Sequence, residues 1–388
     1  MNKTPKLRFP EFSGEWEETT VEKIANVSTG SKDTKDKIDN GQYPFYVRSP
    51  IIERINTFSF EGEAVLTVGD GVGVGKVFHY VNGRFDFHQR VYKISDFKEY
   101  NGKFFYQYFA KNFCKEAMKY NAKTSVDSVR REMITKMKIP DISLKEQQKI
   151  ANFFFLIDKK IQKQQEKVEV LKDYKKGIMQ KIFSQEIRFK GDNGEEYPEW
   201  EHKKLNEIVQ RVIRRNKSLI STLPLTISAQ YGLVDQETFF NKTVASSNLE
   251  NYFLLYKGEF AYNKSYSTGY PCGAIKRLDN YNMGVLSSLY ICFSILKGIN
   301  SNFLVHYFET NCWHKEISMI AVEGARNHGL LNISVNDFFE TLHYIPSLEE
   351  QQKIANFLSK IDDKLNKEKE KLDLLKKLKK GLLQQMFV

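Results

Sequence analysis

One stretch of this 388-residue chain occurs twice, and it decides most of what the chain can fold into. From Glu146 to Phe183 the sequence begins EQQKIANFFFLIDKK, and from Glu350 to Phe387 it begins EQQKIANFLSKIDDK. The two copies are offset by 204 residues at both ends and align without a gap. Roughly half of the aligned positions are identical, the mark of an internal duplication. Ile139-Pro140 precedes the first copy and Ile345-Pro346 the second. Proline drives the residue before it out of helical angles. Ser143 with Glu146, and Ser347 with Glu350, then spell a capping box twice, so a helix is predicted to start at each.

Apolar residues follow at alternating steps of four and three. They are Ile150, Phe154, Ile157, Ile161, Val168, Leu171, Ile178 and Ile182 in the first copy. In the second they are Ile354, Leu358, Ile361, Leu365, Leu372, Leu375, Leu382 and Met386. This is a heptad seam, and each helix of about forty residues would extend about 60 Å. Gln164 and Lys175 break the first seam; Glu368 and Lys379 break the second. Parallel pairing in register would set Lys175 against Lys379. Antiparallel pairing sets Lys175 against Glu368, Gln164 against Lys379 and Leu171 against Leu372. Polar seam residues specify orientation and register, so an intramolecular antiparallel coiled coil in that register is predicted.

A weaker echo precedes each copy. LRFPEFSGEWEE and IRFKGDNGEEYPEWE each carry an Arg-Phe pair, a turn and a tryptophan, Trp16 or Trp200, before a short amphipathic helix. The repeating unit is therefore lead-in, variable block, Ile-Pro and long helix. The expected fold is α+β: two similar mixed blocks separated by two long helices in an antiparallel coiled coil, with a pseudo-two-fold internal repeat. The expected boundaries are 1–140, 141–186, 187–346 and 347–388. In the blocks, Tyr43–Val47, Ala64–Val68, Leu223–Ile227 and Glu259–Tyr262 read as strands, and Gly102–Tyr120 and Asn302–Met319 as helical patches.

The chain carries 59 Lys and Arg against 48 Asp and Glu, a formal charge of +11, which points to an acidic partner or to a solvated lysine-rich coil. Cys114, Cys272, Cys292 and Cys312 form no C-x-x-C pair, so they are expected reduced and mostly buried, without structural zinc. No apolar run is long enough to span a membrane, and the N-terminus lacks a signal core; a cytoplasmic protein is expected.

Catalytic motifs fail one after another. The glycine-rich stretch Gly69–Lys76 would need glycine at Asp70 and Ser or Thr at Val77 to be a phosphate loop. A P-D…D-x-K pattern at Pro140, Asp141, Asp158 and Lys160 places its last two members within a heptad helix. The seven histidines give no H-E-x-x-H, and no N/D-P-P-Y/F methyltransferase motif is present. A binding role without catalysis follows.

Nucleic acid is the first candidate for the acidic partner, and candidate contacts to it lie on polar and basic loops. The first block offers Arg48, Lys76, His88, Gln89, Arg90, Lys123, Thr124, Ser125, Arg130 and Arg131. The second offers Gln230, Tyr231, Asn263, Lys264, Tyr266, Arg277, Arg326, Asn327 and His328. Arg and Lys suit guanine or phosphate, Asn and Gln suit adenine, and Ser or Thr suits either. The loops 121–131 and 323–329 recur at the same place in both copies and are the preferred clusters.

The paired IP…EQQKIANF…ID…KKG…F helices and the two tryptophan lead-ins resemble the specificity subunit of type I restriction–modification enzymes. SAQYGLVDQ at 228–236 and YNKSYSTGYPCGAI at 262–275 resemble that family's target recognition domains. The resemblance implies that each block reads one half of a split double-stranded DNA site and that the helices act as a ruler. It implies two modification subunits, which bind S-adenosylmethionine and methylate adenine, and restriction subunits, which use ATP and Mg. No cofactor, metal or catalytic residue is then expected in this chain. With both blocks and both helices, it is not expected to be a half-length subunit that must dimerise. The competing readings are a coiled-coil scaffold with no DNA role and a nuclease or methyltransferase with unrecognised motifs.

Overall fold

The heptad stretches are continuous helices, Leu144–Phe183 and Leu348–Met386, in a computed structural model that describes residues 4–119, 128–242, 245, 248–267, 269–321 and 331–387. The chain divides into two compact units, the first built from two pieces of sequence and the second from one. The first holds Met1–Glu166 with Lys369–Val388; the second is Lys167–Glu368. Each unit therefore takes the beginning of one long helix and the end of the other.

Within each unit the helix segments run antiparallel. In the first, Lys379 reaches Asp158 at 2.6 Å, and Ile150 and Phe154 share a core with Met386 and Phe387. In the second, Lys167 meets Glu368 at 2.5 Å and Lys175 meets Asp362 at 2.7 Å, while Ile182 and Phe183 share a core with Ile354 and Leu358.

Orientation is as expected, but the register is not. The partners of Lys175, Lys167 and Lys379 lie six to eight positions below the expected ones, a displacement of one heptad. Seven residues carry an a position onto an a position, so the seam alone cannot separate the two registers. In the observed one Ile150 and Phe154 pack into one core with Met386 and Phe387. The seam lysines find their carboxylates just off the seam, at Asp158 and Asp362, rather than on it. Every predicted seam residue is buried or half-buried, whereas Leu156, Val170, Leu374 and Leu378 face out.

The helix starts depart from a simple capping box. Ser143 and Ser347 do accept the backbone N–H of Glu146 and Glu350, at 3.3 and 3.4 Å. The glutamates do not bond back to the serines. Each turns its carboxylate to the lead-in. Arg8 Nε and Nη2 donate to Glu146 at 2.7 and 2.8 Å, and Trp16 Nε1 adds a third bond at 3.3 Å. Arg188 Nε and Nη2 donate to Glu350 at 2.9 and 2.8 Å, and Trp200 Nε1 at 3.0 Å. The carboxylates are buried, the second wholly so.

In each unit the lead-in becomes a strand paired with the Ile-Pro segment: Glu17–Thr20 with Lys138–Asp141, and Glu201–Lys204 with Leu342–Ile345. A shared four-strand order follows. In the first unit it is Asn26–Thr29, Val91–Ser95, Phe60–Val68, Phe78–Phe87; in the second, Val209–Arg211, Ile291–Ile295, Phe260–Asn263, Ala274–Arg277. The first unit extends this sheet with Tyr43–Tyr46 and Ile52–Ile55, and Tyr43–Tyr46 runs parallel to Phe78–Phe87. The second adds two ribbons instead, Leu225–Ser228 with Gly232–Asp235 and Phe253–Tyr256 with Met283–Leu286.

The helical patch of the first block is one helix, Gly102–Met118, whose Phe104, Phe105, Phe109 and Phe113 are fully buried. That of the second is broken into Ser301–Phe308 and His314–Ile320. All four cysteines are free; only Cys272 and Cys292 are buried, and Cys312 is exposed, fewer buried than expected.

Two measurements check this. Cysteines at Lys175 and Asp362, in a chain with Cys312 replaced by Ser, form a disulfide on mild oxidation, and cysteines at Lys175 and Glu368 do not. Arg188→Met strands the Glu350 carboxylate and lowers stability by about 3–5 kcal/mol in urea denaturation. Lys203→Met, which breaks an exposed pair with Glu201, costs under about 1 kcal/mol.

Candidate nucleic-acid interface

Several candidates of the first unit meet at one edge of its sheet, and the parallel strand pair is the reason. Because Phe45 lies beside Asp86 and Tyr46 beside Phe87, both strands run out at the same edge. Arg48 and His88 follow there, and His88 N–H donates to the Tyr46 carbonyl at 2.9 Å. The turn after Phe60–Val68 arrives at the same place, with Gly69 N–H donating to the Arg90 carbonyl at 2.7 Å. Val129 N–H then donates to the Gly69 carbonyl at 2.7 Å, and Ser128 bridges Asp70. Four segments are thus pinned by backbone bonds, which leaves their side chains free for other work.

Asp70 sits at the centre. Its Oδ1 accepts from Arg48 Nη1 at 3.3 Å, and its Oδ2 lies 3.7 Å from Arg90 Nε. Gln89 Nε2 donates to Asp33 at 3.2 Å, and the Lys35 backbone N–H holds the Asp33 pKa below its ordinary value. His88 is buried. Its Nδ1 accepts the Arg90 backbone N–H at 2.9 Å, and burial, followed by the Arg48 charge, lowers its pKa. A neutral His88 therefore fixes the turn that carries Gln89 and Arg90. An open cleft of about 450 Å³ lies here, lined by Arg48, Ser49, Asp70, Gly71 and Val72 among others. Lys76 is exposed in the glycine-rich turn, and Arg130 and Arg131 are exposed beyond Val129. Lys123, Thr124 and Ser125 lie outside the described residues.

The glycine-rich turn is used for close approach. A side chain at Gly75, where φ is +67°, would run into Cys114 of the phenylalanine-rich helix. The turn therefore packs against that helix while presenting Gly71 and Val72 to the cleft.

The second unit distributes its candidates differently. Gln230 and Tyr231 are exposed on the hairpin between Leu225–Ser228 and Gly232–Asp235, and Tyr266 is exposed beyond Phe260–Asn263. Asn263 Oδ1 accepts the Ser265 N–H at 3.0 Å, and Lys264 Nζ donates to the Ile333 carbonyl at 3.2 Å. Arg277 is largely buried and donates to Asp279, Ser301 and Asn302 at 2.6–2.8 Å, tying a strand to the start of a helix. Arg326, Asn327 and His328 lie outside the described residues.

The acids Asp70 and Asp33 were absent from the sequence candidates, which sampled only basic and neutral polar groups. No local pattern flags them, since Arg48, Asp70 and Arg90 stand far apart in the chain. The available signal was Asp70 itself, a charged residue inside a glycine run that had failed as a phosphate loop. Among the described residues no group of His, Cys, Asp and Glu could hold a metal ion, and no helix is long and apolar enough to cross a membrane.

Comparison with known proteins gives the same picture over most of the chain. A family model described as the type I restriction modification DNA specificity domain matches residues 13–181 and again 197–377. A Mycoplasma pneumoniae protein described as a type I specificity subunit is 26% identical over 344 residues, 86% of each chain. The EcoDI specificity subunit of Escherichia coli is 31% identical over 80 residues, 21% of this chain and 17% of that one. The crystal structure of the type I restriction–modification S subunit from M. genitalium shares the fold, with a TM-score of 0.62 and 16% identity over 99% of each chain.

The assignment of roles can be checked on the second unit. Arg277→Ala lowers the thermal midpoint by several degrees, because a largely buried side chain that ties the strand to the start of the helix through Asp279, Ser301 and Asn302 is lost. Tyr266→Ala leaves the midpoint within about one degree, as expected of an exposed side chain. Differential scanning fluorimetry distinguishes the two.

Proposed function

The chain belongs to the type I restriction–modification DNA specificity family, and we propose that each of its units reads one half of a bipartite duplex site. On this reading the long helices fix the gap between the half-sites and dock two modification subunits. The chain itself performs no catalysis. S-adenosylmethionine is held by the modification subunits, and ATP with Mg by restriction subunits that join them. The assembly works in the cytoplasm, where its DNA lies.

The observation that carries this reading is the repeat of an identical junction beneath two different polar ends. Arg, Glu and Trp lock each block to its long helix in the same way. The exposed side chains above the junction differ, with Arg48 and Arg90 in one unit and Gln230, Tyr231 and Tyr266 in the other. A fixed mount with interchangeable readers suits recognition of a split site. Phosphate contacts would set orientation, and base-edge contacts would set sequence.

Modified-base sequencing of the host genome tests the proposal. Deleting the gene removes one methylated two-part motif, and replacing residues 201–345 with those of a relative changes one half of that motif only. A methylation map that is identical with and without the expressed protein, its modification partner being present, overturns it. Binding to a cognate duplex should weaken with salt at a log–log slope of about −0.9 per phosphate neutralised.

A further inference from the structure

We propose that the first unit reads guanine through Arg48 and Arg90, and that Asp70 is the positioning residue that aims both side chains. This inference rests on the reading above, in which the unit reads a half-site, and adds which base it reads and with what.

The roots of the three residues are rigid. Arg48 leaves the end of a strand whose neighbour is bonded through His88 N–H to the Tyr46 carbonyl. Arg90 is fixed on both sides, its N–H on His88 Nδ1 and its carbonyl on Gly69 N–H. Asp70 follows Gly69 directly and is bridged to Ser128. None of the three depends on a long unsupported loop.

The carboxylate turns one oxygen to each guanidinium, hydrogen-bonding Arg48 and pairing with Arg90 by charge. Oδ1 takes Nη1 of Arg48 and Oδ2 faces Nε of Arg90. No described residue takes the two terminal amino groups of Arg90 or the Nη2 of Arg48. Both side chains remain open, 50% exposed for Arg48 and 66% for Arg90. An arginine held at one edge presents its remaining donors in a fixed plane. In the major groove guanine offers O6 and N7 as adjacent acceptors, and adenine puts an amino donor beside N7. Two parallel N–H groups therefore fit guanine and clash with adenine. Asp70 could in principle accept from cytosine or adenine itself, but both its oxygens are turned to the arginines.

Phosphate binding is the simpler use for exposed arginines, and the arrangement argues against it. Attraction to a polyanion is served by charge alone. A carboxylate between two guanidiniums removes half of their net charge and adds orientation, which benefits only a directional contact. The cleft beside them, lined by Ser49, Gly71 and Val72, leaves room for a base edge.

The test uses the chain assembled with its modification subunits. Competition binding is measured on duplexes in which each base pair of the motif is permuted in turn. Exchange of the first block with that of a relative assigns which half belongs to this unit. That half should contain a G·C pair at which the wild-type complex discriminates about tenfold or more. Arg90→Lys keeps the charge but not the fork, and should abolish that preference while the other half is read as before. Arg48→Gln should reduce the preference at a G·C pair in the same half. Asp70→Asn should also reduce it, although no arginine has been changed; a merely structural role for Asp70 would lower the thermal midpoint and leave base preference unmoved. An assigned half with no specified G·C pair overturns the proposal, as do variants with unchanged base preference or with affinity lowered equally on every duplex. Failure of the block exchange to move either half would instead overturn the half-site reading itself.

Discussion

The buried carboxylate that opens each long helix is the interaction on which the other contacts depend. Glu146 and Glu350 stand in the first turn of a helix about forty residues long, where the N-terminal end of the helix dipole favours negative charge. Removing such a group from water is expensive, and the cost is offset only when its lone pairs are filled. An arginine fork and an indole N–H fill them, and both come from the lead-in. The next residue completes the joint. Gln147 accepts the Asn101 N–H and Gln351 the Asn300 N–H, each at 2.8 Å. Those asparagines cap the helices of the two blocks. Two adjacent side chains thus bind lead-in, block and long helix together, which explains why this Glu-Gln pair occurs twice.

Aromatic packing makes the joint an end-stop as well. In the first unit Phe387 lies among Trp16, Phe104, Tyr108 and Phe154, and Lys111 Nζ donates to its carbonyl at 3.2 Å. In the second, Phe183 lies among Trp200, Phe303 and Tyr307. Each tryptophan therefore serves twice, as a donor to the carboxylate and as a wall for the phenylalanine that ends the other helix. These end contacts fix the helix register, which a heptad seam leaves open to shifts of seven.

How far the sequence could be read follows from the range of the interactions. Local and periodic features were legible: the helix pair, the serine caps, the strands near Phe60–Val68 and Phe260–Asn263, and the antiparallel orientation. Longer-range ones were not. The register was displaced because the seam lysines were matched only with other seam positions, whereas Asp158 and Asp362 lie one residue off it. The S-x-x-E box half-formed because a distant arginine outcompetes a nearby backbone N–H for the glutamate. The Arg48–Asp70–Arg90 cluster was half legible, its arginines named and its acid missed, since only the sheet order brings the three together.

The duplication also allows one copy to be read against the other. Residues that match between the copies, among them Trp, Glu, Gln and the last Phe, are those that make the joint. Just beyond it the copies part. Lys379 in the first unit faces Asp158, which Gln107 also contacts at 2.9 Å. Its equivalent Lys175 lies in a denser group with Asp362 and Glu309, beside a buried His306. Burial opposes the charge of Lys175, yet the two carboxylates raise its pKa; burial and then Lys175 lower that of His306. A substitution in one unit therefore meets a different electrostatic wall from its counterpart in the other. The joint has kept one solution because its parts are all spent on one another, and the surfaces above it have diverged because their side chains are not. That separation lets a single fold hold two readers that can change independently.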